Sequence, residues 1–251
     1  MSLTHDDLTE GFQRAGVCPG MKLMVHSSLR KFGHVDGGAR TVIEALQEVV
    51  TEDGTLLLPS FNHGTPFQGG GAGIYDPRET PTPNGIIPET FKFHFAEHFS
   101  VHPTHSLMAL GPNAKQITGG HEHAGLPCGP GTPWAKNAES GGKILLIGVG
   151  FHSNTTFHCA EEQLPTSYRL SAEPVDGIVV LDGREMVVSS RLHLWGVSAD
   201  FSVLRPELEA LGHLRNGRIG SAPTLCFDAR GFLDLAISKL ACDPRYFIKQ
   251  K

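Results

Sequence analysis

The segment Lys22–Pro59, KLMVHSSLRKFGHVDGGARTVIEALQEVVTEDGTLLLP, decides the fold class. Lys22–His26 is an apolar run of strand length that ends in Ser27 and Ser28. Gly33, Gly37 and Gly38 mark a turn, after which Val42, Ile43, Leu46, Val49 and Val50 recur at helical spacing. Thr55–Pro59 is the next apolar run. Strand, loop, helix, strand is the repeating unit of a parallel sheet, and strands covered on both faces read as continuous apolar runs rather than alternating ones. The segment therefore predicts an α/β protein.

Outward from this unit, Thr4–Ala15 reads as an amphipathic helix capped by Thr4, with Asp6 and Asp7 in its first turn. The stretch Ser60–Gly85 is too rich in glycine and proline for an element and too long for a plain connector, so it reads as a functional loop or lid. A helix is expected over Ile86–His98 and a strand over Leu107–Leu110, then a loop rich in glycine and histidine over Gly119–Gly131. The segment GPGTPWAKNAESGGKILLIGVGFHSNTTFHCAEE, 129–162, supplies another apolar strand (Lys143–Val149) and a helix carrying His158, Glu161 and Glu162. Gly177–Ser189 reads as a hairpin about Asp182-Gly183, and Leu192–Val197 as a further strand. A strand at Thr224–Phe227 and a helix at Phe232–Ala241 close the chain. No repeat and no linker divides it, which predicts a single domain over 1–251.

Net charge is −5 and the 21 Lys and Arg form no cluster, which argues against a nucleic-acid partner. No run of about 18 apolar residues occurs and the first residues are acidic, so neither a membrane span nor a signal peptide is expected and the cytoplasm is the expected location. The 5 cysteines are scattered and odd in number, which predicts free thiols. Some of the 14 histidines, His121 and His123 with Cys128 or His102 with His105, offer zinc-type ligands. Their spacings match no standard site, and no metal is expected.

Chemistry gathers at two places. The turn between Lys22–His26 and the first helix of the unit presents backbone N–H groups and a helix N-terminus, an arrangement that suits a phosphate, although it is neither GxGxxG nor a P-loop. On the later helix His158 and Glu161 are three residues apart and share a face, so an imidazole and a carboxylate point into one pocket. Asn154, Thr155 and Thr156 open that helix as caps and exposed donors, and Asn or Thr there could orient a ligand or meet developing charge. No GxSxG elbow is present, which disfavours an acyl-enzyme route.

In their order along the chain, the segments VHSSLRKFGHVDGG, DGTLLLPSF, YDPRETPTPNGIIPETF, HPTHSLMALG, GPGTPWAK, GKILLIGVGFHSNTTFHCAEE and GRIGSAPTLCFDARGFLDLA resemble the aminoglycoside N(3)-acetyltransferase family. The resemblance implies a three-layer α/β/α fold around a mixed, largely parallel sheet, with acetyl-CoA as donor, an amine as acceptor and no metal. It implies His158 as general base and a cofactor site at Ser27, Ser28, Leu29, Gly33, His34, Val35, Gly37 and Gly38. Pro59, Ser60 and Phe61 would line the channel for the acetyl arm, and Asn154, Thr155, Glu162 and His102 would face the substrate. A carboxylate, Asp200 or alternatively Glu161, would hold the imidazole. Two departures bear on the acceptor: Phe99 stands where relatives commonly carry arginine before Ser100-Val101-His102-Pro103, and Phe151–Asn154 contains no acid.

The resulting expectation is direct acetyl transfer to an amino group, foremost the 3-amino group of an aminoglycoside, by a monomer or homodimer. The alternatives are a non-antibiotic amine as acceptor, or a metal-dependent hydrolase or amidase built on the histidine-rich loops.

Overall fold

The computed structural model describes residues 2–62, 74–164, 166, 168–194 and 196–249. Strands β1 (Lys22–Ser27), β2 (Thr55–Phe61), β4 (His98–Phe99), β5 (His105–Leu110), β6 (Lys143–Ile147), β9 (Leu214–Ile219) and β10 (Ala222–Asp228) form a seven-stranded sheet in the order β4-β5-β2-β1-β6-β10-β9. A smaller sheet joins β3 (Ile74–Tyr75), β7 (Val175–Leu181) and β8 (Arg184–Ser190).

Alternation along the strands sorts the core into two layers. Leu23, Val25, Leu56, Leu58, Leu145 and Ile147 point to one face, against α1 (His5–Arg14), α3 (Gly38–Val50) and α4 (Ile86–His94). Met24, Leu57, Ile144 and Leu146 point to the other, against α6 (Pro133–Glu139), α7 (Phe157–Gln163) and α9 (Ala229–Cys242). Helices on both faces make three layers, as expected, and leave β2 buried along its whole length. The sheet is less parallel than the sequence suggests. Only β1 pairs in parallel with β2 and β6; β5 on β2, β4 on β5, β10 on β6 and β9 on β10 are antiparallel. One crossover helix, α3, links parallel neighbours, whereas the outer strands return beside partners that run the other way.

Local chemistry accounts for most boundaries. Thr4 caps α1 through a reciprocal capping box with Asp7. Asp182 (φ 51°) and Gly183 (φ 74°) take left-handed conformations, the turn that joins β7 to β8 at the expected place. The expected helix over 86–98 stops at His94, because His98 and Phe99 pair with β5 as an edge strand. Leu192–Val197 does not form a strand; among its described residues His193 makes one isolated bridge to Leu170. Of the expected lid, residues 63–73 lie outside the described residues, and Ile74–Tyr75 joins the small sheet. Among the described residues no helix is long and apolar enough to cross a membrane.

Candidate active site

The carboxyl ends of β1 and β2 open onto a cleft of about 410 Å³. Strand β1 contributes His26 and Ser27, and β2 contributes Pro59 and Phe61. The turn after β6 adds Val149, His152 and Ser153, and Thr155 and His158 come from the entrance and first turn of α7. His105, Arg169 and His193 join the lining from other segments, with Pro83, Asn84, Pro88 and Leu194. A cleft belongs here, because at the carboxyl ends of parallel strands the chain turns outward into loops and helix starts.

Helix α7 brings its functional pair together by spacing. His158 Nδ1 lies 2.6 Å from Glu161 Oε2, three residues on. Glu161 is fully buried, and Arg169 donates to both its oxygens, Nε to Oε2 at 2.8 Å and Nη2 to Oε1 at 3.0 Å. Burial pushes this carboxyl up, but the hydrogen bond and charge of His158 together with Arg169 outweigh it, and the pKa falls below its ordinary value. Glu161 is therefore an anion, Nδ1–H of His158 donates to it, and Nε2 is the basic nitrogen of a residue that lines the cleft.

The shift carries a sign for stability. A carboxyl whose folded pKa is depressed stabilises the fold above its unfolded value, about 4.3, and loses that contribution as pH falls through the folded pKa. Thermal unfolding followed between about pH 6 and pH 2 should show a steeper acid loss of Tm in the wild type than in Glu161→Gln. Equal slopes would show that Glu161 carries no linked proton.

Glu162 behaves oppositely. Its Oε1 lies 2.6 Å from His193 Nε2, and its Oε2 accepts the Cys128 N–H at 2.9 Å. Burial pushes its pKa up to about 8 against the pull of the Cys128 and Gly129 N–H groups. Two consecutive glutamates thus face different surroundings, one held charged and one favoured neutral, a division common where acid and base roles are separated. The His193 ring meets His158 edge to face at 4.5 Å between centroids, and meets His105 at 4.4 Å.

A second groove of about 850 Å³ shares Val149 and His152 with the first. Ser28, Lys31, Arg205 and Lys249 line it together with Asp200, so its cations outnumber its acids, although Arg205 pairs with Glu209 and Lys249 lies 3.9 Å from Asp200. Gly148, with φ 66°, forms part of its wall, where a Cβ would stand 2.3 Å from Lys31 Cβ; the absent side chain lets β6 pass close beneath α2 (Leu29–Phe32).

Several expected site residues sit elsewhere. The Asp200 carboxylate accepts the Ser202 N–H at 3.0 Å and hydroxyl at 2.5 Å, capping a turn at the wall of the second groove. Glu161 occupies the place beside the imidazole instead. Gly33, His34, Val35, Gly37 and Gly38 line neither cavity; the turn packs on the N-terminal segment, with Val35 bridging Leu3. Leu29 packs against the core. Ser60 faces away from Pro59 and Phe61, as strand alternation requires, and its hydroxyl lies 3.0 Å from that of Tyr75. Asn154 and Thr156 are buried with no side-chain hydrogen-bond partner among the described residues and neither caps α7 with its side chain, while Thr155 reaches the cleft. His102 is fully buried; its Nδ1 accepts the N–H groups of Thr104 and His105 and its Nε2 lies 2.9 Å from Ser190 Oγ, so it shapes the turn before β5.

Arg169, His193, His105, His26 and His152 were not singled out for the catalytic cleft from the sequence. Arg169 and His193 stand on irregular segments without periodicity or motif, and only the chain's return across α7 places them there.

The family model described as aminoglycoside 3-N-acetyltransferase matches residues 24–241. The chain is 31% identical to aminoglycoside N(3)-acetyltransferase IV of Salmonella sp, over 93% of this chain and 85% of that protein. It is 30% identical to the SPbeta prophage-derived aminoglycoside N(3')-acetyltransferase-like protein YokD of Bacillus subtilis (strain 168), over 93% and 90%. Its structure superposes on that of a histidine-to-alanine mutant of aminoglycoside acetyltransferase AAC(3)-IVa in complex with gentamicin, with a TM-score of 0.82 and 27% identity, covering 100% of this chain and 93% of that one. With a family model matching residues 24–241 and 31% identity over 93% of the chain, the chain belongs to the aminoglycoside 3-N-acetyltransferase family of acyltransferases.

Proposed function

We propose that the protein transfers the acetyl group of acetyl-CoA directly to an amino group, foremost the 3-amino group of an aminoglycoside, with His158 as general base. The observation that carries this reading is the chain His158–Glu161–Arg169 at the wall of a cleft, an imidazole oriented by a buried anion. An alkylammonium is a poor nucleophile until it loses a proton, so a base in contact with it is the first requirement. The ammonium releases one proton to solvent on binding, and His158 Nε2 takes a second from the amine nitrogen as its lone pair attacks the thioester carbonyl. The C–N bond forms, the C–S bond breaks, and the imidazolium returns its proton to the departing thiolate. Glu161 holds the ring and stabilises its cation. Ser27 Oγ, buried at the cleft and without a hydrogen-bond partner among the described residues, can donate to the developing oxyanion.

Acetyl-CoA fits the second groove. Lys31, Arg205 and Lys249 offer charge to its phosphates, and the shared Val149 and His152 give the pantetheine arm a route toward His158. On this reading the phosphate contacts lie on the Ser28 and Lys31 side rather than on the Gly33–Gly38 turn. One feature favours the second reading, a non-antibiotic amine as acceptor: among the described residues the cleft is lined by no Asp or Glu.

Release of free CoA, followed with acetyl-CoA and a panel of aminoglycosides and simple primary amines, tests both readings. Thiol release with an aminoglycoside and a singly acetylated product supports the first; release only with smaller amines supports the second; none with any amine overturns acetyl transfer. Lys31→Ala is expected to raise KM for acetyl-CoA about tenfold, the loss of roughly one charge-assisted contact, with kcat little changed.

A further inference from the structure

Three side chains from separate segments converge behind the cleft. His105 begins β5, Cys128 lies between α5 (Ala114–Thr118) and α6, and His193 follows β8. One nitrogen from each ring and the thiol sulfur all lie within 4.8 Å of one another. The two histidines line the cleft and Cys128 is fully buried beyond them. We propose that His105, Cys128 and His193 bind a zinc ion, and that the bound ion blocks the cleft beside His158.

The donor set is that of a borderline-soft metal, two imidazoles and a thiolate with a fourth position left for water. Tetrahedral zinc with bonds of about 2.3 Å to sulfur and about 2.0 Å to nitrogen holds its donors roughly 3.5 Å apart, so closure needs side-chain shifts on the order of 1 Å. Supporting contacts are in place. The Glu162 carboxyl holds two of the three ligands, His193 through Nε2 at 2.6 Å and Cys128 through its backbone N–H at 2.9 Å. The Thr104 hydroxyl lies 2.8 Å from His105 Nδ1. Carboxylate and hydroxyl partners of this kind set the orientation of metal-binding histidines.

Binding breaks the Cys128 S–H bond, forms a Zn–S bond and releases the proton to solvent. Burial holds the metal-free thiol well above its ordinary pKa, so the metal-free side chain is inert. Of the ligands that sequence proximity offered, His105 and Cys128 join the cluster; His121 is buried against His102, and His123 is exposed. Zinc on His193 adds a dication one ring away from His158, whose ring is 4.5 Å from that of His193. That charge opposes both the approach of an ammonium and the protonation of the base. The blockade rests on the reading of His158 given above; the metal site does not.

Cobalt(II) titration of the full chain tests the site without any acetyl donor. The expected result is stoichiometric growth of a thiolate-to-cobalt charge-transfer band, lost in Cys128→Ala, with zinc affinity falling at least about tenfold in the variant. Should that variant fail to fold, X-ray absorption at the zinc edge of the wild type is expected to show one sulfur and two imidazole nitrogens. No band in the wild type, an unchanged band in Cys128→Ala, or a zinc shell without sulfur overturns the site. In acetyl-transfer assays zinc is expected to inhibit the wild type, reversibly by chelator, and to spare Cys128→Ala. A cobalt band with turnover unaffected by zinc overturns the blockade.

Discussion

Replacing His158 by alanine is expected to lower kcat for acetyl transfer by about two to four orders of magnitude, the usual contribution of a positioned general base. Acetyl-CoA affinity should stay within about twofold, because the cation-lined groove lies beyond Val149 and His152 and does not include His158. The split between the two readouts is the informative part. A donor-binding role would move KM for acetyl-CoA, a purely structural one would move Tm, and a base moves kcat alone. The residue is about a fifth exposed and sits on the first turn of α7, so its truncation leaves no large cavity. Near-normal turnover in the purified variant would end the assignment of the base.

The second large effect belongs to Glu161. Glu161→Ala leaves the Arg169 guanidinium buried without its counter-ion, a defect that costs about 3–5 kcal/mol in comparable sites. For a chain of this length that is an expected fall in Tm on the order of 10 °C, read by calorimetry. Glu161→Gln keeps the volume but removes the charge, so it separates packing from electrostatics. Adding Arg169→Met to Glu161→Gln should restore part of the lost stability, since the uncompensated charge is gone, without restoring kcat. If the double variant recovers activity as well as stability, Glu161 serves the fold and does not orient the base.

The candidate site was legible where function follows local spacing. His158 and Glu161 three residues apart on one helix, Ser27 at a strand end, and Pro59 and Phe61 two apart on β2 each reach the cleft by the geometry of their own element. The misreadings share a cause. Ser60 alternates away because a strand has period 2. Asp200 is taken up as a cap by Ser202, two residues on, a competition that short polar side chains often win near a turn. The Gly33–Gly38 turn has the backbone freedom of an anion cradle, but the N-terminal segment lies across it through Leu3.

By itself the sequence determined the layered α/β architecture, most element positions and the helical pairing of His158 with Glu161, because these rest on periodicity, capping and spacing within one element. Tertiary structure alone decided that the outer strands run antiparallel, that Arg169 locks Glu161 as an anion, and that His105, Cys128 and His193 meet. Strand direction depends on how a connection returns to the sheet, and the other two depend on contacts between residues 8 to 88 positions apart. No local interaction energy encodes such encounters; they arise only when burial of the two apolar layers brings the segments together.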